Sequence, residues 1–444
     1  MEEEKKCDFY YGDGTDQCPR AADFSDGKCV FHSSDPAKLS GDKWKDALAS
    51  KELGELEGIV FLERLTFDAV PNNWKRGISG ERLLEKDLIF KNVEFRAGFD
   101  LSNITFTMGI KMDGCVMREG CSLGGSTFKE GLALSECSLQ GTLSLEEIVV
   151  KQGAYVRISK VTAVTDEGVE HPPSIEFTGV KTNVPGAITF EEMDLSRCRL
   201  LRTDVENINF SRCEWHNQAR CEKGRAKTER TLCDEIVGQW DYTPCRTCVS
   251  KQQKSLEADK SAILDLYRGL RRNFEVKLQY PEAGDFHIGE MEVRRLTIWD
   301  DRSRSLMSRV AEYFVTSMYR ALSVYGERYI RPGFILTCVI FVSAILYLFT
   351  GLQGSEMLMT GQGQFIMKQT LIDYKQLLPS SLVNVITDFL CAFYYSFSVA
   401  TLFIKDKHYV FVPGWGQAVF LLESLAGAVL IPLFILALRR RFKR

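Results

Sequence analysis

The chain has 444 residues, 45% of them apolar, with 56 Lys and Arg against 59 Asp and Glu for a net charge of −3. That balance argues against nucleic-acid binding through a whole-chain basic field, and the length predicts about three domains. The mean hydropathy of −0.12 is that of a soluble protein. Yet the twenty residues from Gly333 to Leu352 carry no charge, enough at about 1.5 Å per residue to cross a bilayer core of roughly 30 Å, which speaks against a wholly soluble enzyme.

The N-terminal run Met1-Glu-Glu-Glu-Lys-Lys is acidic and has no apolar core. No secretory signal is expected, and everything before residue 330 is expected to lie in the cytoplasm. In that reducing compartment the 14 cysteines are expected to be metal ligands or packing residues rather than disulfides. Residues 1–50 hold Cys7, Cys18, Cys29 and His32 in a C-x10-C-x10-C-x2-H spacing among Gly, Asp and Pro. Three soft thiolates and one imidazole in a segment with little core suit a tetrahedral Zn2+, whose binding supplies folding free energy. The bland alternative is a set of free thiols.

Residues 51–215 carry a repeat. From 88 to 145 apolar side chains recur every eleven residues. Phe90, Leu101, Met112, Leu123, Leu134 and Leu145 form one column, and Phe95, Phe106, Met117, Phe128 and Leu139 another. Gly98, Gly109, Gly120 and Gly131 mark a position read as the turning corner. From 188 to 215 the step is five throughout, as in Phe190, Leu195, Leu200, Val205 and Phe210. Helical periodicity fits neither; stacked short strands in a β-solenoid fit both. Cys115, Cys121, Cys137 and Cys198 fall at apolar repeat positions and read as packing residues. The polar insert from Asp166 to Pro173 is expected to interrupt the stack. The pattern resembles the pentapeptide-repeat family in degenerate form, which implies a right-handed four-sided β-helix acting as spacer, scaffold or binding surface.

Residues 216–255 contain a second set, Cys221, Cys233, Cys245 and Cys248, spaced C-x11-C-x11-C-x2-C, with His216 as an alternative ligand. Neither set leaves an open ligand position beside a general base, so a structural metal is expected at both. The second module also carries Arg220, Lys223, Arg225, Lys227 and Arg230 against only Glu222 and Glu229. Such a run can neutralise phosphates, more so if four copies surround an axis, although a solvated basic loop has the same composition.

Residues 256–331 read as a helical linker. Ile263, Tyr267, Leu270, Phe274 and Leu278 recur at helical spacing until Tyr280-Pro281, and Leu306 to Tyr325 is again amphipathic. Residues 332–444 then hold the first span and a second from Trp415 to Leu438, ending in Arg439-Arg-Arg-Phe-Lys-Arg444. Arginines at the near side of one and the far side of the other predict two spans with both flanks cytoplasmic. Between them Leu382 to Ile404 is apolar but broken by Asp388, and a re-entrant segment fits the charge pattern better than a third span. Backbone of that kind is tolerated at membrane depth only within protein or beside a water-filled cavity. Glu423 is the only ionisable residue of the second span, read as lining a pore or gate, or else as hydrogen-bonded to Ser396 or Thr401. Lys405 and Lys407 ring an outer mouth or sit in a solvated loop.

Span, re-entrant helix, loop and span resemble the two-span pore-loop ion channels, on Phe393-Tyr-Tyr-Ser-Phe-Ser-Val-Ala-Thr401 and Glu423-Ser-Leu-Ala-Gly427. The resemblance implies a homotetramer in the bilayer around one conduction path, with Ser396, Thr401 and Glu423 near it. The filter sequence TVGYG is absent, so a carbonyl-lined potassium filter is not expected. Tyr267-Arg-Gly-Leu-Arg-Arg-Asn-Phe274, Tyr280 to Arg295, Tyr325-Gly326 and Leu436 to Phe442 are similar to bacterial pentapeptide-repeat membrane proteins with a channel-like end. Within them Tyr280 to Arg295 reads as a charge-paired connector rather than a metal site around His287. Channels of this architecture resemble the channel effectors of the Hailong anti-phage defence system. That likeness implies an inner-membrane channel held shut by an oligodeoxyadenylate from a partner nucleotidyltransferase and opened during infection to arrest growth.

The expected fold class is therefore mixed: cytoplasmic zinc modules and a degenerate pentapeptide-type β-solenoid, followed by a helical two-span pore-loop domain. A membrane-anchored scaffold or sensor without conduction is the alternative. No nucleophile with its base, phosphate loop or paired-carboxylate site emerges, so no enzyme is expected.

Overall fold

The computed structural model describes residues 6–11, 16–18, 20, 22, 24–35, 55–68, 82–85, 87–164, 170–171, 173–182, 184–215, 217–222, 225–237, 260–299, 303–350, 352–359, 365–372, 382–401, 409–411 and 414–442. The chain forms two compact units that divide between Gln279 and Tyr280, inside the segment expected to be one linker.

The first unit is a β-solenoid. Its short strands pair in parallel into four stacked sheets, the longest of seven strands. Ile110 lies between Leu88 and Leu132, so a coil takes 22 residues and the eleven-residue ladder is half a coil. Ile188 lies beside Ile208, a coil of 20 residues built from the five-residue step. Alternate side chains point inward, and Phe90, Phe95, Phe99, Phe106 and Phe128 are fully buried. Like stacks on like in successive coils: the Phe61 and Phe95 rings are 5.2 Å apart, as are those of Phe106 and Phe128. Each such ring withdrawn from water contributes up to about 3 kcal/mol.

Two expectations are refined. The glycines at 98, 109, 120 and 131 each follow a turn or bend between strands, as a corner should, but of the four only Gly98 has positive φ. The left-handed conformation falls at another corner, at Asn92, Asn103, Gly114, Gly125, Glu136 and Glu147, all with φ between 51° and 66°. Two of these glycines answer close approach: a Cβ at Gly98 would stand 2.3 Å from the Gly120 carbonyl oxygen, and one at Gly131 2.6 Å from the Tyr155 ring, whereas at Gly109 and Gly120 it would meet only ordinary contacts. The polar insert interrupts the stack on one face only. Thr162–Val164 stacks in parallel on Ser138–Leu139 and is then covered by the antiparallel Glu170–His171, while on another face Val156 pairs with Ile188 across the insert. A solenoid tolerates this because each coil needs only its neighbours.

A solenoid's terminal coils expose both backbone groups and core unless capped. At the C-terminal end the cap is a helix. After a short helix α1 (Cys233–Val237), helix α2 (Lys260–Val276) lies across the last coil. Asn273 Nδ2 donates to the carbonyls of Val205 (2.7 Å) and Ile208 (2.6 Å), and the Phe274 ring stacks on Phe210. Gly269 is required by closeness, since a Cβ there would stand 2.8 Å from Val205 Cγ2. Tyr267 OH donates to Glu235 Oε2 (2.5 Å), tying α1 to α2.

The second unit is helical, with α3 (Tyr280–Thr297), α4 (Leu306–Ser323), α5 (Ile330–Thr350), α6 (Leu382–Ala400) and α7 (Trp415–Arg441). Helices α5 and α7 are long and apolar enough to cross a membrane. Pro281 sits in the first turn of α3, where its missing N–H costs nothing. The charge-paired reading of this stretch is what the structure contains. Glu292, buried, accepts from Arg295 (2.9 Å), from Arg320 of α4 (2.8 Å) and from Tyr325 OH (2.7 Å). Val324, Tyr325 and Gly326 all have left-handed φ, conformations costing a non-glycine residue roughly 1–3 kcal/mol. Arg440, at the end of α7, secures this corner by donating to the Tyr325 carbonyl (2.9 Å) and pairing with Glu327 (3.0 Å).

Candidate functional site

Two places gather the residues singled out by sequence. The first is at the N-terminal end of the solenoid. Cys7, Cys18, Cys29 and His32 are buried, and their ligand atoms lie within 4.8 Å of one another. His32 Nδ1 is 3.4 Å from both Cys7 Sγ and Cys29 Sγ, and the Cys18 and Cys29 sulfurs are 4.0 Å apart. With Zn–S bonds of about 2.3 Å, the edges of a tetrahedral site measure about 3.8 Å, so the four donors fit a metal ion. The turn from Cys29 to His32 is held by the Ser33 N–H on the Cys29 carbonyl, and the Cys29 N–H donates to Cys7 Sγ (3.2 Å).

Residues that sequence reasoning missed orient the imidazole. His32 Nε2 donates to the Glu57 carbonyl oxygen (3.2 Å), leaving Nδ1 to face the sulfurs, and the Phe9 ring stacks on it at 3.9 Å. Metal-bound histidines are ordinarily fixed by such a bond from the other nitrogen. Gly58, with φ 66°, makes room for Phe9, and the Val60 N–H bonds the Phe31 carbonyl. The module thereby closes the first coil. Burial pushes the Cys29 thiol up to about 12, and a divalent cation supplies the charge that makes a buried thiolate favourable.

The second cysteine set is not assembled among the described residues. Cys233 begins α1 and is half-buried, Cys221 lies in the strand Asn217–Glu222, and His216, Cys245 and Cys248 lie outside the described residues. The basic run forms an antiparallel pair, Asn217–Glu222 with Arg225–Arg230, in which Arg220 is opposite Lys227 and Glu222 opposite Arg225. Lys223 lies outside the described residues, as do Lys405 and Lys407.

The second place is the seam between α5, α6 and α7. Ala344 and Tyr347 of α5 pack with Ala392, Tyr395 and Val399 of α6. Glu423 does not line an open space in the protomer: it is 1% exposed. Tyr347 OH donates to its Oε2 (2.9 Å), and Ser396 Oγ bonds its Oε1 and the Ile340 carbonyl oxygen (2.8 Å). Tyr347 was invisible as a partner because 76 residues separate it from Glu423. Thr401 ends α6 by donating its N–H (3.0 Å) and its hydroxyl (2.6 Å) to the Phe397 carbonyl. Gly427 admits the end of α6 against α7: a Cβ there would stand 2.1 Å from the Ala400 carbonyl oxygen.

These contacts fix where α6 ends along its two neighbours. Ile340 lies at the middle of α5 and Gly427 near the middle of α7, so α6 ends about halfway along both. The chain then returns: Phe411 pairs with Leu352, two residues beyond the end of α5.

Compared with known proteins, the chain matches no family model, no curated protein and no solved structure.

Proposed function

We propose that the chain is the protomer of a homotetrameric, ligand-gated ion channel of the bacterial inner membrane. The observation that supports this is the course of α6, whose C-terminal end stops at mid-depth against Gly427 before the chain goes back toward the end of α5. Backbone that ends inside a bilayer must be sheltered by protein or face water. Several protomers around an axis provide both, with Thr401 and the segment after it, including Lys405 and Lys407, nearest the path. Glu423 then acts by holding α6 to α7 through Ser396, so that its effect on conduction runs through the position of α6.

The cysteine–histidine module holds a structural Zn2+ that caps the solenoid, and residues 216–255 are a second such module. Arg220, Lys223, Arg225, Lys227 and Arg230 bind a phosphate-rich ligand, an oligodeoxyadenylate made by a partner nucleotidyltransferase. The channel is a membrane effector of the Hailong type, held shut by that ligand and opened during infection. The chain is not an enzyme.

Liposome flux tests the reading. Purified protein in potassium-loaded vesicles releases the ion, added oligodeoxyadenylate suppresses the release, and native mass spectrometry finds four copies. Vesicles that stay tight with and without the ligand would leave the protein a membrane-anchored scaffold.

A further inference from the structure

Helix α4 has its faces reversed. Its exposed side carries Leu306, Met307, Val310, Phe314, Val315 and Met318, with Met307 78% and Phe314 62% exposed. Ala311 and Ala321 lie between them, also exposed. At about 100° per residue these positions sweep roughly half the circumference of the helix, and no charged residue interrupts the arc. The polar residues point the other way, into the unit. Arg320 pairs with Glu292, Glu312 with Arg294 and Arg304, and Tyr313 OH accepts from Arg295 Nη1 (3.2 Å). A helix of a soluble domain buries its apolar stripe and shows its charges.

From this we infer that α4 lies in the plane of the membrane surface, with its apolar half in the boundary between headgroups and acyl chains. The inference rests on the reading of α5 and α7 as membrane spans. Three observations favour lipid over a second copy of the chain. The apolar face covers about half the helix, wider than the stripe of about 100° that a packed helix needs, and a lipid surface wets all of it. The face is continuous with the exposed apolar surface of the spans, because α4 leads within seven residues into α5, whose Phe334 is 68% exposed. Cations follow the helix, with Arg328 and Arg331 at the start of α5, where they meet anionic headgroups. Trp299, 43% exposed and packed on Tyr313, occupies the headgroup level that indoles prefer.

Because Arg320 joins this helix to Glu292, and Arg440 of α7 holds the corner that follows it, a displacement of α4 in the surface is passed to both spans. The test uses full-length protein carrying Met307→benzoylphenylalanine, Phe314→benzoylphenylalanine or Met318→benzoylphenylalanine, reconstituted in phosphatidylcholine vesicles with about a quarter phosphatidylglycerol. Irradiation and mass spectrometry read the adducts. Lipid adducts are expected at all three positions, enriched in phosphatidylglycerol, and at Phe341 and Leu425 of the spans substituted in the same way. Cross-links from Phe314 to a second protomer or to another segment of the chain would overturn the inference. Lipid adducts at Phe341 and Leu425 with none on α4 would overturn it while leaving the spans in place. No lipid adducts at any position would overturn both readings.

Discussion

In the solenoid, Leu132, Leu134 and Val156 are sealed inside while Glu136 and Lys160 pair on the outside. In the helical unit, Glu292 and Glu423 are sealed inside while Phe334, Phe349 and Leu422 stand out, each two-thirds exposed or more. The same alphabet is used in opposite senses. The solenoid is held by apolar area withdrawn from water, repeated coil by coil. The helical unit leaves apolar area exposed on α5 and α7, and its helices are joined by the hydrogen bonds of Glu292 and Glu423 together with apolar packing.

The largest expected effect is at the metal module, since structural zinc contributes on the order of 10 kcal/mol in small modules. Cys29→Ser should lower the metal content by one equivalent per chain. It should also raise amide exchange over residues 55–68, where the module closes the first coil, while leaving residues 110–160 protected. Uniform exchange across the solenoid would show that the module is no cap.

Next comes Glu292→Ala, which leaves Arg295 and Arg320 buried without their shared carboxylate. A loss of about 3–5 kcal/mol is expected, read as a lower detergent-solubilised unfolding midpoint. Glu292→Gln should recover part of it through Tyr325. Equal stability of the Ala variant and the parent would mean that the helices are held by packing alone.

Leu134→Ala should cost about 2–5 kcal/mol in the solenoid, whereas Phe341→Ala, on the outer side of α5, should cost well under that in detergent. If the two costs were alike, the contrast between the units would be lost.

The smallest effect is electrostatic. Burial pushes the Asp234 carboxyl up to about 6, against the Leu200 N–H and the Arg199 guanidinium that favour its ionised form. A carboxyl raised in the fold is favoured protonated there. Its contribution is therefore present below about pH 4 and is lost as pH rises through about 6, a change of about 3 kcal/mol. Relative to Asp234→Asn, the parent should lose stability across that window; a pH-independent difference would contradict the burial of a titrating group.

Much of this was legible from the chain. The eleven- and five-residue ladders located the core of the solenoid because a strand's inward positions must be apolar in every coil. The C-x10-C-x10-C-x2-H spacing located the four buried donors because three thiols and an imidazole in a segment with so little core point to metal binding. What the ladder did not locate was the left-handed position. It falls at Asn92, Asn103, Gly114, Gly125, Glu136 and Glu147, a column of mixed residue types that neither the apolar nor the glycine ladder marks. The partners of Glu423 and Glu292 were hidden for another reason. They lie on other helices, and the meeting of two helices depends on side-chain shape that no periodicity records.

The central claim, that α6 ends beside an ion path, is tested most directly by single-channel recording from purified protein carrying Thr401→Cys in planar bilayers. The account predicts unitary currents that a water-soluble charged thiol reagent reduces or blocks, with no effect on the unsubstituted protein. Absence of unitary currents from either protein, or currents unaltered when Cys at this position is fully modified, would contradict it.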